Sequence, residues 1–510
     1  MYEFIFRCQS WMISRLEQDA GERMEKERKK RFVSSHIHEN IAYLRKKLGV
    51  GKSFDVIQLD VEYAGRAMSL FMIDGFVKDD ILHYLMRRLS FLEEKQLQVH
   101  PLEKLLKTYL PYVELNKTND LDEAVDAVLA GPTALVVDGV DYIILIDART
   151  YPVRGPQEPD VERVVRGARD GFVETIVFNT ALIRRRVRDP SLRMEYLQVG
   201  RRSKTDICVC YIEDIAAPEI IQNVKKAIAN IDTDGLAMGE KTVEEFISGR
   251  HWNPYPVVRY TERPDTAAIH LYEGHVLVIV DGSPSVLIAP VTFWHHLQHA
   301  EEYRNKPIVG AYLRLVRFLA VWASLFLLPL WYLMMTEPQW LPSSLSFLAK
   351  AKLGDIPLFA QIVMIEIGID MLRMAAIHTP SSLATALGLV AALMIGGIAV
   401  EVGLFSNEVI LYFSVAAIGT FATPSYEMGL ANRLVRIGLL VLTGLFSIYG
   451  YMIGITAWII ALMRMNSFGI PYLWPFIPFS YRAMRDVLIR SPMPLKNRRP
   501  TVLHPRDPDR

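Results

Sequence analysis

The residues best placed to do chemistry in this chain stand where charge is most costly. Within the apolar stretch IPLFAQIVMIEIGIDMLRMA lie Glu366, Asp370 and Arg373, four and three residues apart, so an unbroken helix carries all three on one face. Glu401 closes a later glycine-rich apolar run, and Glu408 and Glu427 follow at apolar borders. A charge at membrane depth needs a partner, a pore or a protein interior. The Glu366, Asp370 and Arg373 group is therefore read as an internal salt bridge holding helices or subunits together, as the lining of a polar ion path, or as part of a shallow interfacial helix. Glu401 is the better pore candidate, while Glu408 is placed near an interface. A second cluster, FWHHLQHA, sets His295, His296 and His299 close together with an i, i+4 pair suited to zinc. Local spacing fixes no acidic third ligand, so no metal site is assigned. Cys208 and Cys210 alternate in the strand-like TDICVCYI and read as buried thiols; with Cys8 they cannot build a disulfide framework.

None of GxxxxGKS/T, HExxH, CxxC or GxSxG occurs, and the chain offers no matched set of acid, base and ligand. It is read as a non-enzyme without a cofactor. The elements that must position the charged residues follow from composition. The 510 residues carry 22% charge and a net +1, but from Pro307 to Ser480 only eight Lys or Arg and seven Asp or Glu occur in 174 residues. Apolar runs there reach membrane-spanning length. The fold class is thus an α/β cytosolic N-terminal region followed by a multi-span α-helical membrane domain, which excludes a wholly cytosolic enzyme and a basic nucleic-acid binder.

The chain is divided into an N-terminal helical region (1–44), an α/β subdomain (45–195), a second α/β subdomain (196–305), a transmembrane domain (306–480) and a Pro/Arg-rich cytosolic tail (481–510). ALVVDGVDYIILIDA and AAIHLYEGHVLVIVDGSPSVLIAP each set a D-G or E-G turn between extended runs, a hint of a duplicated hairpin. The first clear span is Leu313 to Met335, with Arg314 and Arg317 at its start; basic residues stay on the untranslocated side, which puts the soluble part in the cytosol. MYEFIFRCQSW is too short for a signal peptide. The run LVRIGLLVLTGLFSIYGYMIGITAWIIALM is long enough for one tilted helix or two broken passes. Four to six crossings result, an even number being favoured because the basic tail also reads as cytosolic. Gly388, Ala392, Gly396 and Gly397 allow close helix approach, in a packed protein interface.

Several segments together resemble the spore germination receptor A-subunit family, the GerA family, across essentially the whole chain. They are VVRGARDGFVETIVFNTALIRRRVRD, VGRRSKTDICVCYI, TERPDTAAIHLYEGHVLVIVDGSPSVLIAPVTF and SFGIPYLWPF. The family's TERPD motif falls on Thr261 to Asp265, and its RG, FVE, N and LIRRR pattern on Arg166, Gly167, Phe172, Glu174, Asn179 and Arg184 to Arg186. Where the family has FE, REA and RLP, this chain has IGIDMLRMAAIHTP, which marks a side branch. The resemblance implies a protein of the spore's inner membrane, acting in germination as a homo-oligomeric ion channel subunit. Its partners would be a small accessory membrane protein or other germination proteins, with membrane lipid around it and no nucleic acid. Arg166, Glu174, Asn179, Arg263 and Asp265 then become candidates for coupling the soluble part to its neighbour. Monovalent cations are favoured on the acidic balance, with gating carried through the helix around His295 to Tyr303 into Leu313 to Met335. A non-conducting scaffold or regulatory subunit is the alternative.

Overall fold

The computed structural model describes residues 30–97, 101–110, 114–150, 162–249, 252–344, 356–379, 388–391, 394–492, 494 and 496–510. Cys8, the charged run before residue 30, Pro380, Ala392 and the start of the third apolar stretch lie outside them. Two compact units result, Met1–Pro152 with Arg188–Ser191, and Val153–Val187 with Leu192–Arg510.

In the first unit, β1 (Val56–Tyr63) and β2 (Arg66–Ile73) form a hairpin closed by Ala64 and Gly65, both at positive φ. Helix Asp79–Ser90, strand β3 (Leu115–Thr118) and helix Leu121–Ala130 follow. That last helix starts where the Asp120 carboxylate accepts from Asp122 N–H and stops at Gly131, whose φ of 117° suits a residue without Cβ. β4 (Thr133–Val137) and β5 (Ile143–Ile146) turn at Asp138-Gly139, and the antiparallel sheet has the order β1-β2-β4-β5-β3. Its alternate residues Leu70, Leu135 and Ile144 meet Leu85 and Leu89 in a closed apolar core.

The second unit repeats this order. β6 (Leu192–Val199), β7 (Thr205–Ile212), β8 (Arg259–Thr261), β9 (Val276–Val280) and β10 (Val286–Ala289) pair antiparallel as β6-β7-β9-β10-β8. A helix, Pro264–Glu273, again links the third strand to the fourth and again ends on a glycine, Gly274 at φ 100°. The repetition thus extends from the D-G hairpins to the whole strand order. The extended run expected at AAIHLYE is this helix instead. Pro264 opens it at the first turn, and the E-G pair that reads as a hairpin turn is its C-terminal cap. Cys208 and Cys210 are buried in β7 and are not joined in a disulfide.

Beyond residue 305 the chain is helical and apolar. Pro307–Thr336 and Tyr426–Met463 are long and apolar enough to cross a membrane. Leu358–His378 has the length but carries Glu366, Asp370 and Arg373. Asn407–Phe421 is shorter. Large apolar side chains such as Leu319, Trp322, Ile418, Leu445 and Met452 are more than half exposed in the single chain, a surface that water does not favour. The run at 426–463 is not one rod: Ser447 has φ 52° and ψ −133°, and the chain reverses there. Asn432 and Trp458 both reach the same Tyr255 hydroxyl, at 2.8 and 2.7 Å, although a straight helix would hold them about 39 Å apart. Gly454 makes the return possible, since a Cβ there would lie against Leu439 and Leu442 of the outgoing arm.

The Pro/Arg-rich tail is folded rather than loose. Val502 and Leu503 are buried in the core of the second sheet, Lys496 pairs with Glu273 at 2.8 Å, and Arg499 donates to the Tyr272 carbonyl at 2.8 Å.

Candidate functional site

Two charged assemblies lie in the second unit, one joining the sheet to the apolar helices and one among those helices. The first lies just before Pro307. Arg263, fully buried, donates from Nε and Nη2 to the two Asp265 oxygens at 3.0 and 2.9 Å, from Nη1 to the Glu162 carbonyl at 3.1 Å and again from Nη2 to the Ala168 carbonyl at 3.0 Å. Asp265 also pairs with Arg304, on the short helix Ala300–Arg304. Gly167 stands beside it at φ 136°, a conformation that residues with a side chain rarely adopt, and a Cβ there would displace the Arg304 guanidinium. Burial alone would raise the Asp265 carboxyl; the guanidiniums of Arg263 and Arg304 hold it below the usual carboxylate range. From β8, Arg259 donates to the carbonyls of His295 and Gln298 at 2.9 and 3.3 Å.

The next links reach the apolar helix itself. Glu302, with no exposed surface, accepts from Arg314 Nε at 2.6 Å and pairs with Arg317. Arg314 also donates to the carbonyls of Asp486 and Val487, each at 2.9 Å, so the start of the tail is held in the same knot. Charge-assisted bonds thus tie helix Ala300–Arg304 and the turn before it to β8 and helix Pro264–Glu273 on one side and to helix Pro307–Thr336 on the other.

The histidines do not sit as one helical face. Phe293–Leu297 is a 3-10 turn, and the backbone at Gln298 and His299 is extended, which breaks the i, i+4 register between His295 and His299. The helix expected from His295 to Tyr303 is thus a turn, a break and a short helix, with His299 accepting from Glu301 N–H as the cap. His295 packs instead against His270 and His275, with ring centroids 6.1 and 5.1 Å away. Nδ1 of His270 and of His275 face the Thr266 and Pro290 carbonyls at 2.8 and 2.7 Å, so each carries its proton there. Burial lowers His270 to about 3 and His275 to about 4 and puts His295 well below its ordinary value. Among the described residues no group of three or more His, Cys, Asp or Glu side chains is placed to hold a metal ion.

The second assembly lies among the apolar helices. Glu366, nearly fully buried, accepts from Arg436 Nε at 2.7 Å and Nη2 at 3.1 Å and from Arg433 Nε at 3.1 Å. Arg433 bridges on to Asp370 at 2.5 Å, and Asp370 to Arg373 at 3.1 Å. Arg436 also donates to the Ser324 carbonyl at 2.7 Å. That carbonyl lies in a π turn, Ala323–Leu327, and Pro329 five residues on has no N–H to offer it. Helix Asn407–Phe421 closes the group through Gly419, where a Cβ would strike the Ala320 carbonyl.

Of the residues singled out in the sequence, Glu366, Asp370 and Arg373 are thus brought together, with two arginines of the hairpin added. Asp370 and Arg373 keep about a third and a quarter of their side-chain surface open. Glu401 is exposed and apart from the network. Gly388, Gly396 and Gly397 are exposed, with nothing within 4 Å of where a Cβ would stand. Asn179 is buried, its amide closing a ring with both backbone groups of Val173 at 2.6 and 2.8 Å. Arg166 is exposed, as is Glu174, whose carbonyl accepts from Gly282 N–H at 2.7 Å. Arg259, Glu302, Arg304, Arg433, Arg436 and Gly419 were not foreseen. The sequence signal for the added pair stops at two arginines three apart in an apolar run, which must find acids; several acids stand nearer along the chain than Glu366, and the choice among them is made by packing.

Residues 42–502 match the model of the Bacillus/Clostridium GerA spore germination protein family. The chain belongs to that family. It is 50% identical to Stage V sporulation protein AF of Bacillus subtilis (strain 168), over 92% of this chain and 95% of that one. It is 30% identical to spore germination protein GerLA of Bacillus cereus, over 93% and 97% of the two chains. Among solved structures, the N-terminal domain of the A subunit of the Bacillus megaterium spore germinant receptor GerK3 aligns at 26% identity and a TM-score of 0.41, covering 52% of this chain and 99% of that domain.

Proposed function

We propose that this chain is an oligomeric, ion-conducting subunit of the spore inner membrane that acts in germination, with its soluble part on the cytosolic side. The observation that carries the reading is the unequal burial of the membrane charges. Glu366 is sealed between Arg433 and Arg436, whereas Asp370, Arg373 and Glu401 stay open on apolar helices. Charge left open at membrane depth calls for a water path or a neighbouring subunit. Several copies arranged around those residues supply both, and the exposed glycines at 388, 396 and 397 offer a face for close approach between copies.

Six passes fit the contacts. Residues 307 and 463 lie toward the soluble part, while Ser447 bonds Glu337 at 2.9 Å and Ser406 N–H bonds Gln361 at 2.8 Å toward the other end. An even number returns the tail to the side of the soluble part, where Val502 and Leu503 are packed. Gating passes through the Glu302, Arg314 and Arg317 knot. Other germination proteins are the expected partners, a small membrane protein among them, and monovalent cations the expected ions.

A second reading, a non-conducting scaffold, is favoured by the full pairing of Glu366, which leaves that carboxylate no free site for an ion. Potassium efflux from liposomes holding the purified chain separates the two. Conduction predicts efflux that scales with a cross-linkable oligomer, alone or with the native membrane partner; folded oligomer that leaves the gradient intact in both settings supports the scaffold.

A further inference from the structure

The short helix Tyr481–Leu488, YRAMRDVL, follows the hairpin and buries none of its side chains. Eight residues without a core contact do not sustain a helix in water, where isolated helices shorter than about 12–15 residues are marginal. At about 100° per residue its side chains fall into three sectors. Ala483, Met484 and Val487 share one and are half-buried against the chain. Tyr481 and Leu488, one above the other, are exposed on the next, and Arg482 and Arg485 are exposed on the third.

Backbone contacts fix where this helix sits. Arg314 donates to the carbonyls of Asp486 and Val487 in its last turn, each at 2.9 Å. Two residues beyond the helix, Arg490 donates to the carbonyls of Asn305 and, at 2.9 Å, Tyr303. Tyr303 and Asn305 precede Pro307, and Arg314 stands about 10 Å along the helix that Pro307 opens. The segment is therefore held at the level where the first membrane-length helix begins. At that level the first helix is itself uncovered, with Ile308, Tyr312 and Leu315 each more than half exposed. Phe476 and Phe479, just before the short helix, and Ile489, just after it, are also more than half exposed. Aromatic and aliphatic groups open on one side, with arginines on the next, suit a helix lying in the headgroup layer. Its polar side sets Arg482 and Arg485 against a single acid, Asp486, which Arg485 meets at 3.3 Å, so the sector is net positive and favours anionic lipid.

We infer that residues 476–489 form an in-plane anchor on the leaflet facing the soluble part, with Tyr481 and Leu488 in the acyl boundary and Arg482 and Arg485 on the phosphates of anionic phospholipid. The inference rests on the membrane reading above and not on conduction. Arg314 bonds this helix and Glu302 at once, so a lipid surface that holds the helix also braces the knot at the head of the first apolar helix.

The test is quenching of the fluorophore NBD on single introduced cysteines, in full-length protein reconstituted into mixed vesicles of phosphatidylcholine and phosphatidylglycerol. The parent carries Cys8→Ser, and Cys208 and Cys210 are buried. Leu488→Cys reports the apolar side, Arg485→Cys the polar side, and Leu445→Cys, exposed on the hairpin, the membrane reading itself. The expected result at 488 is quenching by doxyl groups on lipid acyl chains and protection from iodide, with the reverse at 485. Doxyl on phosphatidylglycerol should quench the 488 probe better than doxyl on phosphatidylcholine, by about fivefold in local concentration for each arginine. Arg482→Gln with Arg485→Gln should abolish that preference. Iodide quenching at 488 equal to that at 485 would put the helix in water, and no quenching at 488 by either reagent would put it under protein. Acyl-chain quenching without a phosphatidylglycerol preference would remove the anionic contact. Each of the three overturns the inference; acyl-chain quenching at 445 alongside any of them leaves the membrane reading standing, and its loss at 445 too removes both.

Discussion

Replacing Glu366 with Gln should unfold the membrane part long before it alters any ion path. The carboxylate accepts three hydrogen bonds from Arg433 and Arg436, and both guanidiniums are buried. With the charge gone, one acid, Asp370, remains bonded to the pair, and it reaches only Arg433. Breaking a buried ion pair from one side leaves an uncompensated charge and costs about 3–5 kcal/mol. That is an unfolding constant raised roughly 10²- to nearly 10⁴-fold. The assay is equilibrium unfolding in mixed micelles, titrated with SDS and followed by tryptophan fluorescence. In a cycle built from the singles Glu366→Leu and Arg436→Leu, the charge-balanced double variant leaves Arg433 on Asp370 and should recover much of the loss, with a coupling of up to about 3 kcal/mol. A single variant that loses less than about 1 kcal/mol, or a double variant whose loss is the sum of the two singles, would refute the reasoning.

The histidines of the junction predict acid sensitivity. Buried neutral in the fold, His270 and His275 have pKa values lowered to about 3 and 4, so below about pH 6.5 the unfolded chain takes up protons that the folded chain does not. Stability present above pH 6.5 should fall by about 1 kcal/mol per pH unit for each of them as pH drops toward 4, and thermal unfolding in detergent at pH 7.5 and 5.5 should show a shallower dependence in His275→Gln. Glu273 acts lower down. Burial opposes its charge, but Lys496 brings it to about 2, so its contribution is complete above about pH 4.5 and disappears only as pH falls through 2. Gly419→Leu should destabilise by about 1–3 kcal/mol or more, since even a Cβ meets the Ala320 carbonyl; the same change at Gly396, where space is open, should leave monomer stability within about 0.5 kcal/mol in the same titration.

The parts of the fold legible in the sequence are those governed by neighbours along the chain. Asp138-Gly139 and Asp281-Gly282 mark hairpin turns because a tight turn needs residues that tolerate positive φ, and the two alternating runs flanking each are strands. The same local reasoning misassigned Glu273-Gly274, because a glycine that ends a helix and one that turns a hairpin look alike until the preceding period is settled. Pro264 at the first helical position was the deciding mark. The break at Ser447 lay beyond local patterning, since no proline or glycine stands at the residue that turns; what holds the return is the distant Tyr255 and the small Gly454.

The candidate site divides along the same line. Glu366, Asp370 and Arg373 were visible as charges in apolar sequence, and Arg263 and Asp265 as neighbours across a proline. Arg433 and Arg436 stand about 70 residues away, and their pairing with Glu366 depends on how the hairpin packs against helix Leu358–His378. Glu302 escaped notice because it precedes the apolar region and looks like an ordinary surface acid. Its complete burial comes from Arg314 and Arg317 entering from the next helix. Within the single chain Gly419 and Gly454 make close approaches that the sequence did not single out, while Gly388, Gly396 and Gly397 face open space, the surface proposed above for contact between copies.

Single-channel current from the purified full-length chain in planar bilayers, with its native membrane partner present and absent, tests the central claim most directly. The account predicts discrete currents whose reversal potential under a potassium chloride gradient lies toward the potassium equilibrium, and a weaker cation preference in Asp370→Asn or Glu401→Gln. Silence from folded, oligomeric protein in both settings, or currents indifferent to both substitutions, would contradict it.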